Sequence, residues 1–420
     1  MSHLLSRFAV LGALAAPLAL SACDDGGALA TRSLAPIPSE TLALMSEKGV
    51  EKDSPVLIRA FKKEAEFEVW KMRPDGTYVH LKTYPMCRWS GQLGPKTREG
   101  DRQVPEGFYS IAPGQLNPNS SYYLSFNVGY PNAYDRAHGA TGGTIMVHGA
   151  CSSAGCFSMS DRQIAEIYAI ARTSLNAGQP AIQMQSYPFH MTAENLARHR
   201  LDPNIGFWRQ LKEGDDQFEV TQKEVAVGVC GKRYVFGVTG QRLDPEGPCP
   251  ALKRDPEVAR LVAEKAAEDD AKIAALAQNG VKPIRLVYQD GGQHPSFAGR
   301  VAEVGRPEAL VPPNEIALNE KPAKDGNDAR TKLAAGRGAS RPASAGEPER
   351  QTTLAAQADP KSAEWMSLHR EPETGASSAK PADPAAASKN KAGDRKTPDA
   401  AKKIKIGDLS KALKETRTQN

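Results

Sequence analysis

Between Val301 and Asn420 the sole aromatic residue is Trp365, and this bounds the fold more tightly than chain length does. A core is anchored by large apolar side chains, each contributing about 1.5–3 kcal/mol on burial. A stretch of Ala, Pro, Ser, Lys and Asp without helical or strand periodicity cannot offset its ordering entropy. Residues 299–420 are therefore expected to form a largely disordered Ala/Pro/Lys-rich tail. The 420 residues would otherwise leave room for several domains; what folds must lie before residue 299. Basic and acidic residues nearly balance, 54 against 49, and no basic stripe points to nucleic acid.

The N-terminus reads as an export signal. Residues 1–22 carry Arg7, an apolar stretch from Phe8 to Leu20 and small residues at its end, too short and Ala-rich for a spanning helix. Leu20-Ser21-Ala22-Cys23 resembles a bacterial lipobox, which implies lipidation of Cys23 and attachment to a membrane through acyl chains. The expected location is periplasm-facing and lipid-anchored, with the inner and outer membranes both open. Residues 23–53 are read as a lipid tether and linker ending in a short helix.

From Pro55 onward the pattern turns to strands. Val56–Phe61, Phe67–Met72, Tyr78–Tyr84, Phe108–Ala112, Tyr122–Phe126 and Thr144–Val147 are short β-branched or aromatic runs separated by turn clusters such as Pro74-Asp75-Gly76. Ser160-Asp161-Arg162-Gln163 fits a capping box opening a helix that Gly178-Gln179-Pro180 stops. Ala181–Met184 is strand-like; Ala193–Arg200 and Phe207–Lys212 read as short helices. A domain is expected over 54–215, mainly β with peripheral helices. An extension over 216–298 holds two weak strands, a helix at Pro256–Gln278 and a strand at Pro283–Tyr288.

Export to an oxidising compartment favours disulfides. Cys230 and Cys249 flank a turn-rich segment and can pair. With Cys87, Cys151 and Cys156 the count after Cys23 is five, so one thiol is left over unless pairing is intermolecular. The densest chemical signal lies here. In the stretch Ile145 to Met159, an apolar strand delivers His148, a small-residue loop follows, and Cys156 precedes the capped helix. A nucleophilic Cys needs a base, room for a carbonyl and donors for the oxyanion. His148 can serve as base, and Gly155 lets backbone amides approach. Three alternatives stand beside this reading: a structural His with a small buried Cys, a Cys151–Cys156 disulfide, and zinc held by His148, Cys151 and Cys156, which lacks a fourth ligand. No metal or cofactor is expected.

His148-Gly149 followed by Ser153-Ala154-Gly155-Cys156 resembles the signature of the L,D-transpeptidase catalytic domain family, in the form of its murein lipoprotein subgroup. Pro105-Glu106-Gly107-Phe108-Tyr109, the run Lys82 to Gln103, Asn132 to Arg136 and Pro188-Phe189 agree in order with that subgroup. The resemblance spans roughly Pro55 to Lys212. It implies an L,D-transpeptidase-type β-sandwich or barrel, Cys156 as nucleophile and His148 as base. It also implies that Ser153 orders the loop and that the Gly155 and Cys156 amides donate to the oxyanion. Two positions depart from many members, which carry His in place of Ala154 and Arg in place of Ser158.

The implied substrate is a peptidoglycan stem peptide, acylated onto Cys156 and transferred to an amine in cell-wall cross-linking or protein attachment. An amidase releasing cross-links or wall-attached proteins is the alternative within the same chemistry. A non-catalytic wall-binding lipoprotein is the alternative from another class. His138, Arg102 and Arg136 are candidate contacts to the charged stem.

Overall fold

The segment VLIRAF has six consecutive buried residues, which a strand can have only when both its faces are covered. The computed structural model describes residues 31–300 and 311–319, and VLIRAF lies at the centre of its largest sheet. In chain order the first elements are α1 (Ser39–Glu47), β1 (Val56–Phe61), β2 (Glu66–Met72), β3 (Tyr78–Pro85), β4 (Gly107–Ile111), β5 (Leu116–Asn117) and β6 (Ser125–Asn127). There follow α2 (Ala133–Ala137), β7 (Met146–His148), β8 (Phe157–Ser158), α3 (Asp161–Asn176), β9 (Ile182–Tyr187), α4 (Ala193–Arg198) and α5 (Ile205–Thr221). The remainder is β10 (Val227–Cys230), β11 (Arg233–Phe236), α6 (Pro256–Gln278), β12 (Ile284–Val287) and β13 (Asn314–Ala317).

Five strands form one sheet in the order β3-β2-β1-β9-β4, and four short ones form a second in the order β5-β6-β7-β8. In the first, β1 pairs antiparallel with β2 from Val56↔Lys71 to Phe61↔Glu66 and parallel with β9 from Ile58↔Met184 to Phe61↔Tyr187. β2 alternates between buried and half-buried residues, as a strand with one partly open face must. Both sheets are open; no closed barrel is formed among the described residues. α3 starts at the expected capping box, Ser160 accepting from the Gln163 amide and the Gln163 side chain accepting from the Ser160 amide. Its face of Ile164, Ile167, Tyr168 and Ala171 is buried.

Four boundaries differ from the sequence reading. Ile37, Met45 and Val50 belong to the main apolar core, so the packed structure begins inside the segment 23–53 read as a linker, and the short helix expected at its end, α1, is part of that packing. The division at 215/216 falls within α5. The Gly214-Asp215-Asp216 cluster looks like a helix stop, but each member has a reason to be there. A Cβ at Gly214 would collide with the Phe108 and Phe236 rings, while Asp215 pairs with Arg59 and Asp216 with Lys212. The extension is also part of the same core, through Ile273, Ile284, Leu286 and Tyr288. Finally, Asn314–Ala317, inside the segment read as tail, is a strand paired antiparallel with β12. Local composition gives no sign of such a pairing, because its partner lies 30 residues upstream and all four residues are exposed. The signal segment 1–22, Cys23, Trp365 and most of the tail lie outside the described residues. No described helix is long and apolar enough to cross a membrane.

Candidate active site

β7 and β8 run parallel, with Val147 opposite Phe157 and His148 opposite Ser158. Parallel neighbours are ordinarily joined by a dozen or more residues; here Gly149 to Cys156 do it. So short a crossover forces the backbone into unusual conformations. Ala150 (φ 63°) and Cys151 (φ 44°) are left-handed, and Gly155 (φ 128°) occupies a region that only glycine enters freely. A Cβ at Gly149 would press on the Asp161 carboxylate and lie 2.9 Å from the Tyr122 carbonyl oxygen.

Several bonds hold this loop in place. Cys151 is joined to Cys87 in a disulfide. The Ala150 amide donates to Asp161 Oδ1 at 2.8 Å. Ser153 Oγ donates to the Cys156 carbonyl at 2.7 Å and receives the Gly155 and Cys156 amides at 3.3 and 3.2 Å. It also lies 2.8 Å from Ser90 Oγ. Both amides expected to face an oxyanion thus converge on the Ser153 hydroxyl.

Cys230 and Cys249 form the second disulfide, and Cys156, half-buried, is the free cysteine among the described residues. This removes the Cys151–Cys156 pairing and takes Cys151 out of any zinc ligand set. His148 is buried at 4% exposure. Its Nδ1 lies 2.6 Å from the Gly149 carbonyl oxygen, which can only accept, so Nδ1 carries the hydrogen and Nε2 is the basic nitrogen. Nε2 lies 3.5 Å from Ser158 Oγ, whose own hydrogen goes to the Ser152 carbonyl. The Tyr122 ring covers the imidazole at 4.7 Å.

The Cys156 sulfur accepts from the Met146 amide at 3.4 Å and is not hydrogen-bonded to His148. Burial pushes the thiol pKa up, against the opposing pull of the Met146 amide and the Lys96 charge. Burial also pulls His148 below its ordinary value, against the Gly149 hydrogen bond. Both shifts favour the uncharged forms, a neutral thiol and a neutral imidazole.

Hydrogen bonds join Ser153, Gly155 and Cys156, and His148 stands in the neighbouring strand opposite Ser158. Arg102 reaches the same loop, but its guanidinium is engaged by Asp290 and by the Ser153 carbonyl. His138, exposed at the C-terminal end of α2, bonds the Tyr134 carbonyl and lies tilted against the Tyr134 ring at 4.2 Å. Arg136 folds back on the Pro131 carbonyl. Sequence reasoning missed Ser90, Tyr122, Asp161 and Asp290. Asp161 was read only as part of the capping box and Ser90 only as part of the run Lys82 to Gln103, while Tyr122 and Asp290 lie far from Cys156 in sequence.

The model of the L,D-transpeptidase catalytic domain matches residues 65–181. "Putative L,D-transpeptidase YafK" of Escherichia coli strain K12 is 46% identical over 182 residues, 43% of this chain and 74% of that protein. The chain belongs to the L,D-transpeptidase catalytic domain family. Asp290 and the strands that follow α5 lie beyond the matched domain. Among solved structures, the helical cell shape determining protein Pgp2 from Campylobacter jejuni is 15% identical, with 59% of this chain and 80% of that chain covered and a TM-score of 0.27. Bd1075 of Bdellovibrio bacteriovorus is 21% identical, with 39% and 60% covered and a TM-score of 0.23.

Proposed function

We propose that the protein is a cysteine-dependent L,D-transpeptidase acting on peptidoglycan stem peptides. The observation that carries the reading is the free thiol of Cys156, at the end of a crossover whose other end is His148, inside a family domain. His148 Nε2 takes the thiol proton as sulfur attacks the amide carbonyl between the L-centre of the diamino acid and the following D-alanine. The imidazolium returns that proton to the departing D-alanine amine as the C–N bond breaks, leaving a thioester. An amine from a second stem, or from a protein to be attached, then displaces Cys156; His148 accepts its proton and restores the thiol. The Gly155 and Cys156 amides donate to the Ser153 hydroxyl in the resting loop and turn from it to the tetrahedral oxygen as that oxygen forms.

Incubation of purified muropeptides with the full chain tests this by mass spectrometry. Cross-linked dimers and free D-alanine are expected, and Cys156→Ala must abolish both. Product formed equally by that variant would refute the reading; trimmed monomers alone would mean that water, not an amine, resolves the thioester.

We also propose export and lipid attachment at Cys23. Two disulfides support the first half, because such bonds persist in oxidising compartments. Loss of detergent-phase partitioning in Cys23→Ser is the expected result; unchanged partitioning would rule the anchor out.

A further inference from the structure

Beyond the family domain, the segment after β12 folds back along the stretch 86–92. Trp89 and Gly292 exchange amide hydrogen bonds at 2.9 and 3.1 Å. Tyr288 donates its amide to Gln92 Oε1 at 2.9 Å, and its ring meets Trp89 edge-on at 4.9 Å. The His294 amide reaches the Met86 carbonyl at 3.0 Å. These bonds alone dock the segment, which makes the placement of one carboxylate within it a separate matter.

Asp290 Oδ2 accepts from Arg88 Nη2 at 2.6 Å and from Arg102 Nη2 at 2.7 Å, and Oδ1 accepts from Arg102 Nε at 3.2 Å. Both arginines continue to the catalytic loop. Arg102 Nη2 donates to the Ser153 carbonyl at 3.0 Å. The backbone of Arg88 is bridged to Ser158, the Ser158 amide donating to the Arg88 carbonyl at 2.9 Å. One carboxylate thus links two arginines that grip the loop three residues before Cys156 and two residues after it. Arg102 is itself left-handed at φ 56°, a conformation that persists only where its surroundings hold it. Burial works against a charge on Asp290, but Arg102 and Arg88 hold its carboxyl below the ordinary range, so the clamp is charged at neutral pH.

We propose that Asp290 is a positioning residue for the acylation step: through Arg102 and Arg88 it fixes the Ser153–Ser158 loop, and with it the Gly155 and Cys156 amides that turn from the Ser153 hydroxyl to the oxyanion. This rests on the thiol mechanism above. Docking alone would require no carboxylate at 290, whereas aligning two amides to within a fraction of an ångström benefits from one.

The test uses a carbapenem, whose strained amide acylates a thiol, on the full-length protein. Rate constant and half-saturating concentration are measured separately for wild type, Asp290→Asn, Asp290→Glu and Arg102→Ala. The expected result is a fall in the acylation rate constant of roughly ten- to a hundredfold for Asp290→Asn and Arg102→Ala, with half-saturation unchanged and partial recovery in Asp290→Glu. Alkylation of Cys156 by iodoacetamide, which needs no oxyanion, should keep its wild-type rate. Arg102→Ala retains the Arg88–Asp290 pair and the Trp89–Gly292 bonds, so it carries the test if Asp290→Asn does not fold. Wild-type acylation in Arg102→Ala overturns the proposal. So does a rise in half-saturation alone, which would make Arg102 a substrate contact, or a parallel loss of alkylation, which would mean general disorder. If wild type itself is not acylated, it is the proposed function that fails.

Discussion

β1 presents six buried residues, paired on both sides over several registers, whereas β7 and β8 contribute three and two residues to the second sheet. The first sheet is held by its own ladders and by apolar burial. The second, which carries His148 and leads from Cys156, is held by what surrounds it: a disulfide, the Asp161 carboxylate, the Ser153 hydroxyl and the Asp290 clamp. Regular pairing gives stability at low positional cost, and side-chain cross-links give a strained loop its position. Damage to the two regions should therefore appear in different measurements.

The largest effect expected is on chemistry alone. Cys156→Ala removes the nucleophile and should reduce carbapenem acylation to background with no loss of melting temperature beyond a degree or two; intact-protein mass spectrometry reads the first and calorimetry the second. Next is the cross-link of the catalytic loop. Cys87→Ser with Cys151→Ser opens a closure of 64 residues, which costs about 4 kcal/mol in the chain-entropy account. Both stability in urea and the acylation rate should fall. In the first sheet, Leu57→Ala empties a fully buried site in β1 and should cost about 3 kcal/mol. Acylation per folded molecule should stay at the wild-type rate. A matching loss of rate would erase the distinction between the regions.

The smallest effect is a pH dependence of the scaffold. His199, 1% exposed, stacks on Phe189 at 4.8 Å and meets Trp208 edge-on. Burial, with Lys63 and Arg198 adding to it, lowers its pKa to about 4. Its folded value lies below the unfolded one of about 6.5, so its contribution is present above pH 6.5 and is lost as pH falls toward 4. Between pH 7 and 5 the loss should be about 2 kcal/mol, and His199→Gln should flatten that part of the urea midpoint profile. Acylation should also fall on the acid side, but at a pH below the ordinary His value, because His148 is lowered too.

Much of the first sheet was legible because its strands carry their pattern locally. Val56–Phe61 emerges with the expected ends, and Ser160 and Gln163 cap α3 as their spacing requires. The short connection from His148 at the end of one strand to Cys156 just before the next was legible as a motif. What holds that loop was not. Asp290 is 134 positions from Cys156, and an aspartate before two glycines reads as a turn. One of the arginines it joins, Arg102, read as a candidate for substrate charge, since sequence cannot show that it is already paired with Asp290. α5 ran past its expected end for the same reason: Arg59 and Lys212 supply the charges that make Asp215 and Asp216 acceptable in a helix.

The eight-residue crossover between β7 and β8 also sets how this domain can vary in length. Surface loops elsewhere absorb extra residues at little cost, about 0.6 kcal/mol per doubling. Here an insertion or deletion of one residue would slide Phe157 and Ser158 by one place against Val147 and His148. Side chains alternate along a strand, so that slip would turn Ser158 away from His148 and carry Cys156 to the wrong face. Within the catalytic loop the number of residues is thus as fixed as their identity, and changes in length belong to the connections of the larger sheet.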